Sequence, residues 1–422
     1  MTTLADWLAY IERQHAKPID MGLERVRAVF ERMQPGPIAN KVITVGGTNG
    51  KGSTVAFVEA IARAAGWRVG AYTSPHLLRY NERVRIDGAE ADDAALVAAF
   101  EAVERARGDT PLTYFEFGTL AALWLFAGAG LDLAILEVGL GGRMDATNIV
   151  DADVAVITTV DLDHQDWLGP DRESIGFEKA GIARPWKPLV LGDDDPPASV
   201  LRHAYAIGAS ALRARCDFFF EPLDAQGWRW REVGFRIDLP MPQLRAPVQL
   251  RNAAVAIAAL RALRQPLKRE AIAAGVAAAR VPGRLQAFER DGIAVYVDVG
   301  HNPQAAQALA AWLRAQPASG VTHAVFAALA DKDLAGVARA LEGEVAHWHL
   351  AGLDADTPRG LPADAFAARL QGCAAALGRR YPDVRSALDA ALAAARPGDR
   401  VLVFGSFFTA AAALQALERR GG

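Results

Sequence analysis

Lys51 is the first residue around which a reaction can be assembled. It stands in Gly46-Gly47-Thr48-Asn49-Gly50-Lys51-Gly52-Ser53, after an apolar β-branched run (Val42, Ile43, Val45) and before a helical pattern from Thr54 to Ala65 that stops at Gly66. Strand, glycine-rich turn and helix in that order make a phosphate-binding device. Glycines let successive N–H groups curl toward phosphate oxygens, and the helix N-terminus adds partial positive charge. Asn49, Gly50, Lys51, Gly52 and Ser53 are thus expected to hold a nucleotide's phosphates. Lys51 can reach the β- and γ-phosphates, and Ser53 or Thr54 can ligate magnesium. The pattern is not the common GxxxxGK[ST], because Gly52 separates Lys51 from Ser53. The plain alternative is a turn that only packs a strand on a helix, which leaves a lysine framed by glycines unexplained.

Other polar residues fall at the ends of candidate strands, where parallel α/β sheets bind ligands. Glu137 interrupts the apolar run Leu133–Leu136. A carboxylate at the tip of a buried strand is costly unless paired, hydrogen-bonded or metal-bound, so Glu137 is either an arginine's partner or a magnesium ligand. His164, in Asp161-Leu162-Asp163-His164, is a loop residue or a metal ligand. Lys179 falls on a predicted helix over 173–182, where a lysine is ordinarily a solvated charge. Asn252 opens the helical run RNAAVAIAAL and reads as a cap. Gly139–Asn148, GLGGRMDATN, has three glycines and one arginine and can order over a substrate. Tyr114 and Phe115 are pocket or core residues.

These residues need a scaffold, and the chain patterns as one. Helices are expected at 4–14 and 22–33, broken by Lys17-Pro18-Ile19-Asp20, and strands then alternate with helices, which implies a mostly parallel sheet. Residues 217–239 change character to aromatic alternation with a turn at Gly227, an antiparallel hairpin on the first domain. Val281-Pro282-Gly283-Arg284 ends that unit, and a linker is expected near 285–291. Strands at 293–299, 324–328, 345–351 and 400–404, with helices between, make a second α/β domain of roughly 130 residues, within the usual range. The expected domains are thus 1–286 and 292–422.

Composition sets limits on function. There are 46 basic and 49 acidic residues, net −3, so no electrostatic footprint for nucleic acid is present. Cys216 and Cys373 have no metal-ligand spacing, and a reduced cytoplasm is the simplest compartment. The N-terminus lacks the apolar core of a signal peptide, and no run approaches the ~18 apolar residues of a membrane span. A monomer is the default expectation.

The motifs together resemble a known family. GTNGKGS is similar to the nucleotide loop of the Mur ligase superfamily, and its GKGS ending resembles the folylpolyglutamate synthase family within it; Mur ligases proper typically read GTNGKT. Ser74-Pro75-His76-Leu77, Asn81-Glu82-Arg83, Thr113–Thr119, Leu136–Asn148, Asp163-His164, Glu178–Ile182, Pro282-Gly283-Arg284 and Asp298-Val299-Gly300-His301-Asn302-Pro303 resemble the family's motifs in its order. The similarity runs from about Leu4 to the C-terminus.

The resemblance implies an N-terminal P-loop, Mur ligase-like ATPase domain with a mostly parallel sheet, and a smaller C-terminal Rossmann-like α/β domain. It implies ATP as co-substrate and two magnesium sites, one at Ser53 and one held by Ser74, Glu137 and His164; a histidine ligand makes manganese a good substitute. It implies carbamoylation of Lys179 by CO2, which needs a neutral amine and hence a depressed pKa. Asn252 would contact adenine, Arg284 and Asp298 the phosphate and ribose, and His301 would lie in the cleft between domains. Asp20, Met21, Gly22, Thr113, Tyr114, Phe115, Glu116, Met144, Asp145 and Ala146 would form the pterin pocket. The family's bacterial bifunctional members carry leucine where Met144 stands, and the family usually shows alanine where Gly300 stands. The implied reaction joins L-glutamate to 7,8-dihydropteroate or to reduced folates through an acyl phosphate, with Lys51, Lys179 and His301 as catalytic groups and domain closure excluding water. The rivals are polyglutamylation alone, a Mur-type peptide ligase, a nucleotide-driven switch and a kinase. A Mur-type ligase carries a UDP-binding domain ahead of the loop, and the residues before Gly46 are too few for one.

Overall fold

The computed structural model describes residues 1–17 and 19–418. Pro18, in the expected break between the first two helices, and the last four residues of the expected second domain lie outside the described residues. The chain divides into two units: Met1–Gln243 with Gln249–Arg280, and Leu244–Val248 with Val281–Gly422.

The first unit is built on an eight-stranded sheet. Its strands are β1 (Lys41–Gly46), β2 (Val69–Tyr72), β3 (Val84–Ile86), β4 (Ala89–Glu90), β5 (Leu133–Glu137), β6 (Val154–Ile157), β7 (Pro188–Leu191) and β8 (Ser210–Arg213). They lie in the order β4-β3-β2-β5-β1-β6-β7-β8. The run from β2 to β8 is parallel, and β3 and β4 add an antiparallel edge. Strands β1, β5 and β6 are buried nearly throughout, as near-continuous Val/Ile/Leu runs require when helices cover both faces. One face packs on the helices Leu4–Ile11, Glu24–Met33, Asp93–Arg107 and Tyr114–Ala127, through Trp7, Val29, Phe100, Phe117 and Phe126 among others. The helix Arg172–Ala180 and the helix Ala198–Ala206 contribute Ile175 and Val200 to a second core with Val138, Ile157 and Leu189.

The aromatic stretch is a three-stranded meander rather than a hairpin: β9 (Phe218–Pro222), β10 (Gly227–Glu232) and β11 (Phe235–Pro240), with β10 central. Alternation puts Trp228 and Trp230 inside. The indole of Trp230 donates to the Ala254 carbonyl, 3.1 Å away on the helix Val248–Ala262.

The second unit carries a six-stranded sheet, β12-β13-β17-β14-β15-β16. Its strands are β12 (Gln286–Arg290), β13 (Ile293–Val297), β14 (Thr322–Phe326), β15 (His347–Ala351), β16 (Arg379–Tyr381) and β17 (Arg400–Phe404). All pairs are parallel except β12 with β13. The segment expected to be a linker, 285–291, is therefore largely strand. Gln286, Phe288 and Arg290 alternate with Ala287 and Glu289 across an edge where one side is exposed, a weak signal in sequence.

Candidate functional site

The phosphate loop leaves β1 and enters the helix Lys51–Ala64 at the carboxyl end of the sheet. Gly47 has φ +142, and a side chain there would run into the Thr158 hydroxyl. Gly50 has φ +89, and its Cβ would lie 2.6 Å from Asn252 Oδ1. Both glycines are thus required by conformation and by contact. The loop after β6 holds the turn from the side: Thr48 N donates to Thr159 O at 2.8 Å, Asn49 N to Thr159 Oγ1 at 3.2 Å, and the Thr158 hydroxyl to Asn49 O at 2.6 Å. Thr54 N closes the first helical bond on Gly50 O, so the N–H groups of Gly52 and Ser53 have no carbonyl partner within the helix. Lys51 Nζ lies over its own loop, donating to Gly47 O at 3.1 Å and Thr48 O at 3.3 Å. Thr158 and Thr159 were not singled out from sequence; two threonines after an apolar strand carry no distinctive pattern.

Asn252 is not a cap. The helix runs Val248–Ala262, so Asn252 sits in its second turn, buried, with Nδ2 donating to Gln249 Oε1 at 2.9 Å. The sequence reading started the helix too late because Val248 and Gln249 give no start signal.

Glu137 ends β5 beside Val45 of β1 and is 4% exposed. Ser74 N donates to its Oε2 at 3.4 Å, and a Cβ on Gly52 would lie 3.6 Å from the same oxygen. Ser74, Glu137 and the start of the phosphate-loop helix are thus brought together. His164 stands after β6 with φ +52, its Nε2 3.8 Å from Asp163 Oδ2. Among the described residues no cluster of three or more histidines, cysteines and carboxylates stands ready for a metal. The buried Thr54 hydroxyl, one of the polar atoms without a protein partner, adds another oxygen at the same helix start.

Lys179 is 4% exposed on the helix Arg172–Ala180. Burial, helped by the Lys51 charge and opposed by Asp163 and Asp145, pushes its amine down to about 7. It is not the solvated lysine that its helix alone would predict. Asp145 accepts four hydrogen bonds from its own loop: Gly139 N and Leu140 N on Oδ2, and Thr147 N and Oγ1 on Oδ1, at 2.6–3.0 Å. It holds Gly139–Asn148 in shape, and burial raises its pKa. Met144 is half-buried and Ala146 buried.

The expected pocket segments are linked through Arg25. Its guanidinium meets Asp20, and its Nη2 lies 2.9 Å from Glu116 Oε1. Glu116 in turn forms a capping box with Thr113 at the start of the helix Tyr114–Ala127. Met21 and Gly22 lie between these anchors in sequence. Phe115 packs on Gly139, where a Cβ would come 2.6 Å from the ring's Cζ. Tyr114 is half-buried, 5.9 Å ring to ring from Tyr80.

In the second unit Asp298 follows β13, buried, accepting from Gly300 N at 2.7 Å and Leu285 N at 2.9 Å. Burial raises its pKa and Arg284 opposes the rise. Arg284 lies 5.9 Å from the Phe407 ring, and the His301 ring is 6.3 Å from the same phenyl. His301 Nδ1 is 3.0 Å from Val299 O. Asp298, Arg284 and His301 thus gather at one end of this sheet.

Comparison with known proteins shows the family of the chain. Residues 45–213 match the Mur ligase middle domain, and residues 283–407 match the Mur ligase glutamate ligase domain. The chain is 46% identical over 421 residues to a dihydrofolate synthase/folylpolyglutamate synthase of Escherichia coli, covering 99% of this chain and 96% of that one. It is similar to the solved E. coli FolC in complex with DHPP and ADP, with a TM-score of 0.94 and 46% identity over 100% of this chain and 99% of that one. It is also similar to a bifunctional folylpolyglutamate synthase/dihydrofolate synthase solved with Mn, AMPPNP and L-glutamate bound, with a TM-score of 0.91 and 47% identity over 99% and 98% of the two chains. With both Mur ligase domain matches and near-complete coverage of these relatives, the chain belongs to the Mur ligase family, in its dihydrofolate synthase/folylpolyglutamate synthase branch.

Proposed function

We propose that the chain is an ATP-dependent, ADP-forming ligase that joins L-glutamate to 7,8-dihydropteroate and adds further γ-linked glutamates to reduced folates. The observation that carries this reading is the 46% identity, over nearly the whole chain, to a relative named for both activities.

The steps follow from the residues. A substrate carboxylate oxygen attacks the γ-phosphorus of ATP, the bond to the β-phosphate oxygen breaks, and ADP leaves. The acyl phosphate is then attacked at its carbonyl carbon by the glutamate amine, which loses a proton as phosphate departs. Lys51 neutralises charge on the transferring phosphoryl, mostly an electrostatic and positioning task. Amides of Gly52 and Ser53 hold phosphate oxygens. Two divalent ions, one at Ser53 and one held by Ser74, Glu137 and His164, would offset phosphate charge. Lys179, its amine pushed down to about 7 and so about half deprotonated near that pH, would take up CO2 as a carbamate and add an anion to that cluster. Asn252, Arg284 and Asp298 are assigned to the nucleotide and His301 to the reacting groups. The two expected domains, up to 286 and from 292, divide this work as nucleotide and glutamate-ligase parts.

The substrates are small molecules, and the reading includes a monomer in the cytoplasm. No helix among the described residues is long and apolar enough to cross a membrane. The test is ADP release by purified protein with MgATP and L-glutamate, adding dihydropteroate or tetrahydrofolate, with mass analysis. Gain of one glutamate on each acceptor is the expected result. Extension of tetrahydrofolate alone leaves only polyglutamylation, and ATP turnover with no amide product overturns the reading.

A further inference from the structure

Arg83 is a buried arginine without a carboxylate. It is 8% exposed at the end of the short helix Tyr80–Arg83. Its Nε donates to His76 Nδ1 at 2.8 Å, and its guanidinium carbon lies 5.3 Å from the Tyr80 ring centre and 5.5 Å from that of Tyr114. Among the described residues no acid stands in ion-pairing range of it. Its two terminal nitrogens make no hydrogen bond there, yet they are not among the fully enclosed unpartnered atoms, which include Tyr80 Oη. They therefore reach solvent through an opening.

The neighbouring arginines show the contrast. Arg25 meets Asp20 and Glu116, Arg85 meets Glu59, and Arg107 meets Glu104. Glu82, adjacent in sequence, is unavailable to Arg83. Its carboxylate accepts from Leu77 N, Leu78 N and Arg79 N at 2.6–2.7 Å and so ties the Ser74–Arg79 loop into a knot. His76, an imidazole, supplies no negative charge. A largely buried guanidinium whose fork opens to solvent with no protein acceptor is placed to receive an anion, and the planar fork matches a carboxylate.

Position narrows the choice of anion. The residue two before His76 is Ser74, whose amide touches Glu137 beside the phosphate loop. On its other side Arg83 faces Tyr114, next to Phe115 and the Gly139 loop. Resting on the proposed function, the carboxylate to be phosphorylated must approach the phosphate loop. A folate ending in glutamate brings a second carboxylate that does not react; dihydropteroate has only the reacting one. We propose that Arg83 binds the non-reacting α-carboxylate of the terminal glutamyl group, which makes it a specificity residue for chain extension over the first glutamylation.

The test uses the full chain with MgATP and L-glutamate, comparing dihydropteroate, tetrahydrofolate monoglutamate and its α-amide as acceptors. On the unaltered protein the α-amide should raise KM about 10- to 100-fold over the free acid, as for loss of a charge-assisted bond. Arg83→Gln should raise KM for the acid by a similar factor, become indifferent to acid or amide, and lose about tenfold more on the folate than on dihydropteroate. Arg83→Lys should recover part of the loss. Equal KM for acid and amide on the unaltered protein overturns the inference whether or not the variants fold. A raised KM for L-glutamate with both acceptors also overturns it and assigns Arg83 to the incoming amino acid. An equal loss of kcat on both acceptors overturns it in favour of the reacting carboxylate. If the unaltered protein makes no amide from either acceptor, the proposed function fails and not merely this inference.

Discussion

The Asn252 side chain lies directly under Gly50, so close that a Cβ there would come 2.6 Å from its Oδ1. The phosphate loop and the helix Val248–Ala262, some two hundred residues apart in sequence, are therefore fitted to each other. Gly50→Ala should lower ADP affinity by more than about tenfold and destabilise the fold by about 1–3 kcal/mol, because both the positive φ and the contact oppose it. Asn252→Ala in the same chain should restore stability in part, since it removes the contact and leaves the φ strain. Calorimetric ADP binding and urea denaturation of the single and double variants check this.

Glu137→Gln keeps the shape of the side chain and removes its charge. The expected effect is a rise in the magnesium concentration for half-maximal activity and a fall in kcat of about 100-fold or more, the scale for losing one electrostatic contribution at a transferring phosphoryl. Metal titrations at saturating ATP separate the two. Unchanged metal dependence would remove Glu137 from the ion site.

Lys179 gives a pH prediction with a definite sign. Its folded-state pKa is depressed from 10.5 to about 7, chiefly by burial. Between those values the unfolded chain carries a proton that the folded one lacks, so stability rises with pH across that window. Lys179→Met should flatten this slope. Uptake of labelled CO2 should likewise increase through pH 7 as the amine loses its proton, and carbon-13 NMR with labelled bicarbonate reads it directly. A signal indifferent to pH, or to the substitution, would place the CO2 elsewhere.

The second unit should be acid-sensitive through a histidine pair. His323 Nδ1 lies 3.3 Å from His349 Nε2, and His349 Nδ1 lies 3.2 Å from Tyr381 Oη. His347 and Arg379 repel added charge at His349, whereas Asp399 favours it at His323. Burial is the main cause that lowers both pKa values, His349 from 6.5 to about 4. The unfolded chain binds protons first as pH falls, so stability is lost from about pH 6.5 down to about 4. Urea midpoints at pH 7 and 5 should differ less in His349→Gln than in the unaltered chain.

Much of this arrangement was legible in the sequence, for identifiable reasons. The phosphate loop and the parallel sheet show because glycines and buried β-branched runs are local patterns. The role of Asp145 as the clasp of its own loop was not legible, because the four bonds its carboxylate accepts from Gly139, Leu140 and Thr147 are three-dimensional facts. Arg83 stood within a family motif without a role, because the absence of an acid partner is a three-dimensional fact. Strand β12 escaped because an exposed edge strand has little apolar period. Lys179 could be named but its burial could not, since helix periodicity says nothing about which loops cover a face.

The short segment Leu244–Val248 belongs with the second unit although it lies upstream of nearly all of that unit's sequence, and Ala246 packs on its core. The covalent order of the chain and its grouping in space are therefore out of step. A gene fragment beginning at Val281 would encode an incomplete body. Transplanting this unit onto another enzyme, or expressing it by itself, requires carrying those five residues along, by circular permutation or by supplying them as a peptide.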